Sequence, residues 1–152
     1  MTPILIALSY WLHALATVVF IGHFVLLAVI YLPALADNPA ALSVISKHSR
    51  WWLYASMLAF ALTGTYLTFV DSNYLGLGNF SNFWSAAMLV KHLLLLGMIG
   101  MGFWYNAILR VGPLMSSNTG AEQALARFRW YVKAMAICGV LVLLLTALAQ
   151  VE

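Results

Sequence analysis

Four long apolar segments divide this chain of 152 residues, at about 4–35, 41–70, 83–110 and 125–150. Each exceeds the roughly 20 residues that a helix needs to cross about 30 Å of hydrocarbon. A segment in lipid must satisfy its own backbone hydrogen bonds, so helices are expected; barrel strands would be shorter and strictly alternating. Composition agrees. The chain is 64% hydrophobic and 7% charged, with a mean hydropathy of +0.96, whereas a soluble domain is about half apolar and about a quarter charged. That excludes a soluble enzyme, a disordered chain and a nucleic-acid-binding domain. It leaves one all-α integral membrane domain over residues 1–152, with the lipid bilayer as its first partner. The lone Cys138 excludes an internal disulfide and a Cys-rich zinc or iron–sulfur site. The first apolar run has no basic leader and continues too long for a cleavable signal, so none is expected.

The connections are short. Pro33 and Asp37-Asn38-Pro39 end the first helix, and Asn38 is placed to cap a second that starts at Pro39 and protrudes before Trp51. Asp71-Ser72-Asn73 with Gly76 and Gly78 make the second connection; Gly112-Pro113 and Ser116 to Gly120 make the third. This predicts an up-down four-transmembrane-helix bundle. Lys47 and Arg50 flank the first connection, and Arg110, Arg127, Arg129 and Lys133 the third, while the second carries only Asp71. By the positive-inside rule both termini lie outside, on the periplasmic side. Trp11, Tyr54, Tyr74, Trp84, Trp104, Tyr105, Trp130 and Tyr131 are candidate interfacial anchors. Gly22, Gly64, Gly97, Gly100, Gly102 and Gly139 allow close helix contact or room for a flat ligand.

The chemistry-bearing residues inside the spans are His13, His23, His48, Lys91 and His92. A charge at mid-membrane costs at least about 2.5–3.5 kcal/mol, so such residues are functional candidates, although a neutral histidine also serves as a satisfied bundle residue. His13 lies nine residues after Ile4 and His92 nine after Phe83, which puts both roughly 13 Å below the outer helix ends. Two imidazoles at one level on two helices suit the two faces of an iron porphyrin. Thr63 and Gly64 fall at a similar depth on the second helix, Gly64 leaving space for the macrocycle and Thr63 offering a hydroxyl. His23 and His48 form a second candidate pair nearer the cytoplasm, for a second haem. Lys91 has three readings: snorkelling to the outer boundary, pairing with a haem propionate, or ligating iron in place of His92. Met88 and His92, four apart, are a soft pair able to hold copper. No carboxylate lies deep enough for a Ser-His-Asp arrangement, and no Gly-rich phosphate loop is present.

Several stretches resemble the CopD family of bacterial copper-resistance membrane proteins and the related HemJ-type protoporphyrinogen oxidases. They are Trp11-Leu12-His13-Ala14-Leu15-Ala16 with Phe20-Ile21-Gly22, Leu62-Thr63-Gly64-Thr65-Tyr66-Leu67, Leu89-Val90-Lys91-His92-Leu93-Leu94 and Arg127-Phe128-Arg129-Trp130. The resemblance covers nearly the whole chain through short apolar motifs. It implies a four-helix membrane domain and, in the HemJ-like branch, haem b held by a first-helix His and a third-helix Lys, which fall on His13 and Lys91. The chain departs from that pattern in having His92 beside Lys91, and in having His23 where the pattern has a small or apolar residue.

The expected function is a haem b protein of the bacterial inner membrane that carries electrons. His13 is one axial ligand, and His92 or Lys91 the other. Quinone or another redox membrane subunit is the expected partner, within a homo- or hetero-oligomer and without nucleic acid. As an enzyme it would be a haem-dependent, HemJ-like oxidoreductase. The alternatives are copper transport or resistance, and a cofactor-free accessory subunit of a larger membrane complex.

Overall fold

In a computed structural model, residues 3–74, 76, 83–109 and 118–150 are described; the side chains of 39, 40, 43, 105–109, 118–122 and 124 are not. Arg110, Gly112, Pro113, Ser116, Ser117 and Gly78, and the Tyr105 side chain, therefore lie outside the described residues. The described residues are helical apart from short turns. Helix α1 is Pro3–Leu26, extended by a π-helical stretch Leu27–Tyr31 and a final turn Leu32–Ala34; α2 is Pro39–Val70, α3 Phe83–Leu109 and α4 Asn118–Leu148. All four are long and apolar enough to cross a membrane.

The ends of these helices follow from local chemistry. Pro33 has no N–H to give and its ring crowds the preceding turn. The turn before it is widened, with the Leu32 N–H reaching Leu27 O, and the helix continues one residue beyond Pro33. The Asn38 side chain accepts the Ala41 N–H at 3.1 Å and Pro39 occupies the first turn of α2. At the other end Asp71 takes extended backbone, and its Oδ1 accepts the Asn73 N–H at 2.9 Å. Gly76, at φ 102°, occupies the left-handed region in that connection. Helix α4 starts earlier than the apolar run does: Asn118, Thr119 and Gly120, expected in the connection, form its first turn.

Two contacts fix the topology. Trp84 and Ala87 at the start of α3 cluster with Ala149 just after α4 and with Tyr74 after α2. At the opposite end the Arg129 guanidinium donates to Ala36 O at 3.3 Å, tying the beginning of α4 to the first connection. The helices therefore alternate in direction. The shared core joins Phe20, Ile21 and Phe24 of α1 with Phe60 of α2, Met98 of α3 and Val132, Met135 and Val142 of α4. Helix α1 packs along both α2 and α4, and α4 along α3, so α1 and α4 form the middle of the bundle. The outer face is apolar, with Leu58, Leu62, Leu93, Leu96, Phe103 and Leu144 exposed. In water such a surface would aggregate, and in a bilayer it is the surface lipid requires. Of the aromatic anchors expected from sequence, Trp11, Trp104 and Trp130 are exposed, while Trp84 and Tyr131 are buried in helix contacts.

Lipid tails are as apolar as side chains, so association of these helices depends on close packing. Gly139 is the tightest point: a Cβ there would lie 2.7 Å from Ile21 Cγ2, and Ile21 is 2% exposed and β-branched, with nowhere to turn. At Gly22, Gly97 and Gly100, by contrast, a Cβ would meet nothing within 4 Å. Gly139→Ala is expected to destabilise the detergent-solubilised protein by about 1–3 kcal/mol. Gly97→Ala is expected to be neutral or slightly stabilising, and thermal unfolding of the two variants checks the contrast.

Candidate functional site

The gap between α2 and α3 defines the site. These two helices touch through the Tyr54–Phe103 ring stack, centroids 6.0 Å apart, in the half of the bundle near the first connection. Toward the other end a cavity of about 650 Å³ separates them. Its wall takes His13 and Thr17 from α1, Gly64 and Thr68 from α2, Lys91 and His92 from α3, and Val142 and Thr146 from α4. Tyr10, Val18 and Leu96 also line it and are exposed, so the cavity opens on the side of the bundle.

His13 is half-buried and held on three sides. Its ring stacks on Phe60 with centroids 4.4 Å apart, and a Cβ on Gly64 would stand 3.1 Å from its Cε1. Its Nδ1 lies 2.9 Å from Thr63 Oγ1. The Thr63 hydroxyl proton already goes to Ala59 O at 2.6 Å, so the hydroxyl oxygen can only accept, and His13 Nδ1–H donates. This network places a proton on Nδ1, and among the described residues Nε2 has no hydrogen-bond partner. Gly64 leaves room for the imidazole and also lines the cavity, and Thr63 orients the ring.

His92 is arranged in the same way by different means. Its Nδ1 is 2.6 Å from Met88 O, one turn back on its own helix. A carbonyl only accepts, so Nδ1 carries a proton, and among the described residues Nε2 has no hydrogen-bond partner. Both histidines line the one cavity. Metal-binding histidines characteristically donate their other ring N–H to a fixed acceptor, which sets tautomer and orientation.

The second histidine pair is placed differently. His23 Nε2 is 3.3 Å from Ser49 Oγ, whose own proton goes to Ile45 O at 2.9 Å, so His23 donates through Nε2 and that nitrogen is occupied. His48, one residue from Ser49, is exposed and turns its Nδ1 to Val44 O at 3.0 Å. His23, with Arg50, Tyr54 and Tyr131, lines a cavity of only about 50 Å³ that does not include His48. The structure brings His13 and His92 to one space and does not bring His23 and His48 together.

Lys91 is buried among the cavity-lining residues. Met88 lines the same wall one turn from His92. Among the described residues no three His, Cys, Asp or Glu side chains converge on a point. Sequence reasoning missed the acceptors behind the two rings, because the Met88 carbonyl is a backbone atom and the Thr63 proton has a choice of partners until the helix is formed. Comparison of the chain with family models, curated proteins and solved structures gave no match.

Thr63→Val keeps the shape of the side chain and removes the acceptor. It is expected to cost about 1–3 kcal/mol and to release His13 from the Nδ1–H tautomer. Nitrogen-15 NMR of histidine-labelled protein checks this, with Thr63→Ser retaining the wild-type pattern.

Proposed function

We propose that this chain is a haem b protein that carries single electrons within the bacterial inner membrane, with both termini on the outer side. The observation behind this reading is the pair of imidazoles, on α1 and α3, whose Nδ1–H groups are committed within the chain and whose rings line one shared cavity, with no partner for either Nε2 among the described residues. The cavity, about 650 Å³, falls within the roughly 300–1,000 Å³ usual for cofactor sites. A ligand set of two neutral nitrogens in an apolar wall suits an iron porphyrin, which brings four of its own donors and needs only axial partners from the protein.

His13 and His92 would hold the haem in this proposal, and when bound it would supply a one-electron couple. The chain's residues do the rest. Thr63 and the Met88 carbonyl hold both rings oriented, Phe60 supports the His13 ring, and Leu95, Ile99 and Val142 exclude water from the wall. The opening on the side of the bundle favours a partner that arrives through the bilayer, a quinol or a neighbouring redox subunit. Lys47, Arg50, Arg127, Arg129 and Lys133 gather at the end away from the cavity, which supports an outer-half haem under the positive-inside rule. On this reading the chain belongs with the haem-holding HemJ-like branch, with the second ligand shifted from Lys91 to His92.

Detergent-purified protein is expected to show the sharp reduced bands of a low-spin b-type haem. His13→Ala and His92→Ala should each lower bound haem by more than about tenfold, while His23→Ala and His48→Ala leave the spectrum unchanged. An unaltered spectrum in His13→Ala, or copper in place of haem on metal analysis, would contradict the proposal.

A further inference from the structure

Lys91 has no role in the ligand set just proposed, yet it is 9% exposed within a membrane-spanning helix. Among the described residues no carboxylate and no other acceptor reaches its ammonium. None of their side-chain nitrogens or oxygens is both sealed off and unbonded, so the ammonium opens on the cavity that Lys91 lines. Asp71 is the acidic residue on that wall, but it stands at the rim where α2 ends, and its Oδ1 accepts the Asn73 N–H. A lysine in hydrocarbon ordinarily relieves its charge by snorkelling or by pairing. Here the side chain is buried within the bundle, and pairing lacks a partner among the described residues. His92, one residue on, is turned by about 100° and raised by about 1.5 Å, so the two side chains reach different points of the same space.

We propose that Lys91 is a carboxylate-pairing group: the cavity's occupant carries a carboxylate, and the Lys91 ammonium holds it. Resting on the haem reading above, the first source of that carboxylate is a haem propionate; the other source with the same chemistry is a membrane fatty acid. Lys91 then sets which amphiphile enters and how it is oriented, and leaves ligation to the two imidazoles. A charge-assisted pair in low dielectric is strong enough to dominate such a choice.

The test titrates the detergent-purified chain with ferric haem and with its dimethyl ester, which lacks both carboxylates. Wild type should prefer the diacid by at least about tenfold, the effect of a single charge-assisted hydrogen bond. Lys91→Met should lose that preference and keep the low-spin spectrum, and Lys91→Arg should retain both. Equal wild-type affinities for the two macrocycles would overturn the proposal, and so would loss of the low-spin spectrum in Lys91→Met, which would make Lys91 a ligand. If wild type binds neither macrocycle, the haem reading falls by itself. A spin-labelled fatty acid against its methyl ester then decides the matter for Lys91: a preference for the acid that disappears in Lys91→Met supports the pairing, and equal binding overturns it.

Discussion

A histidine in a membrane span must place its ring proton on some acceptor, because lipid offers none, and the choice of acceptor decides what the other nitrogen can do. In this bundle His13 and His92 both give up Nδ1–H, one to a threonine on a neighbouring helix and one to a carbonyl of its own helix. Their Nε2 atoms are left for the cavity that both rings line. His23 makes the opposite choice by spending Nε2 on Ser49, which satisfies the ring and closes it to ligation at that atom. Four histidines of similar appearance in sequence are thereby sorted into two that line the cavity, one that fastens helices together, and one at the surface.

The packing of the bundle makes that space available. Helix α1 is clasped by α2 and α4, with Ile21 against Gly139 so closely that no side chain fits between them. Helices α2 and α3 meet in the half of the bundle near the first connection, where Tyr54 stacks on Phe103, and diverge toward the end that holds Trp84 and Ala149. A bundle with four equal interfaces would have filled its centre. This one concentrates its contacts on α1 and α4 and leaves the opposite side parted, and the parting exposes Lys91 and His92 to His13.

Much of the scaffold was legible in the sequence. Hydropathy marks four helices, the Asn38-Pro39 start of α2 and the alternating connections, because lipid imposes a length and a composition on every span. The start of α4 was less legible: Asn118 to Gly120 have the composition of a turn, and only the structure places them in the helix. The π-helical turn before Pro33 was not foreseen either, since proline announces a disturbance without specifying how the backbone absorbs it. In the site, equal depth on two helices points to His13 and His92, and both line one cavity together with Gly64. Depth says nothing about azimuth or tautomer. For that reason depth alone does not reveal that Thr63 and Gly64 touch the His13 ring, or that the rings of His23 and His48 face different surroundings.

The central claim is that two neutral imidazoles from α1 and α3 meet at one iron. Electron paramagnetic resonance of the oxidised, detergent-purified protein tests it most directly, because the signal reports the axial ligands themselves. The account predicts a rhombic low-spin ferric signal of bis-imidazole type. A high-spin ferric signal, a copper(II) signal, or the absence of any metal signal would contradict it.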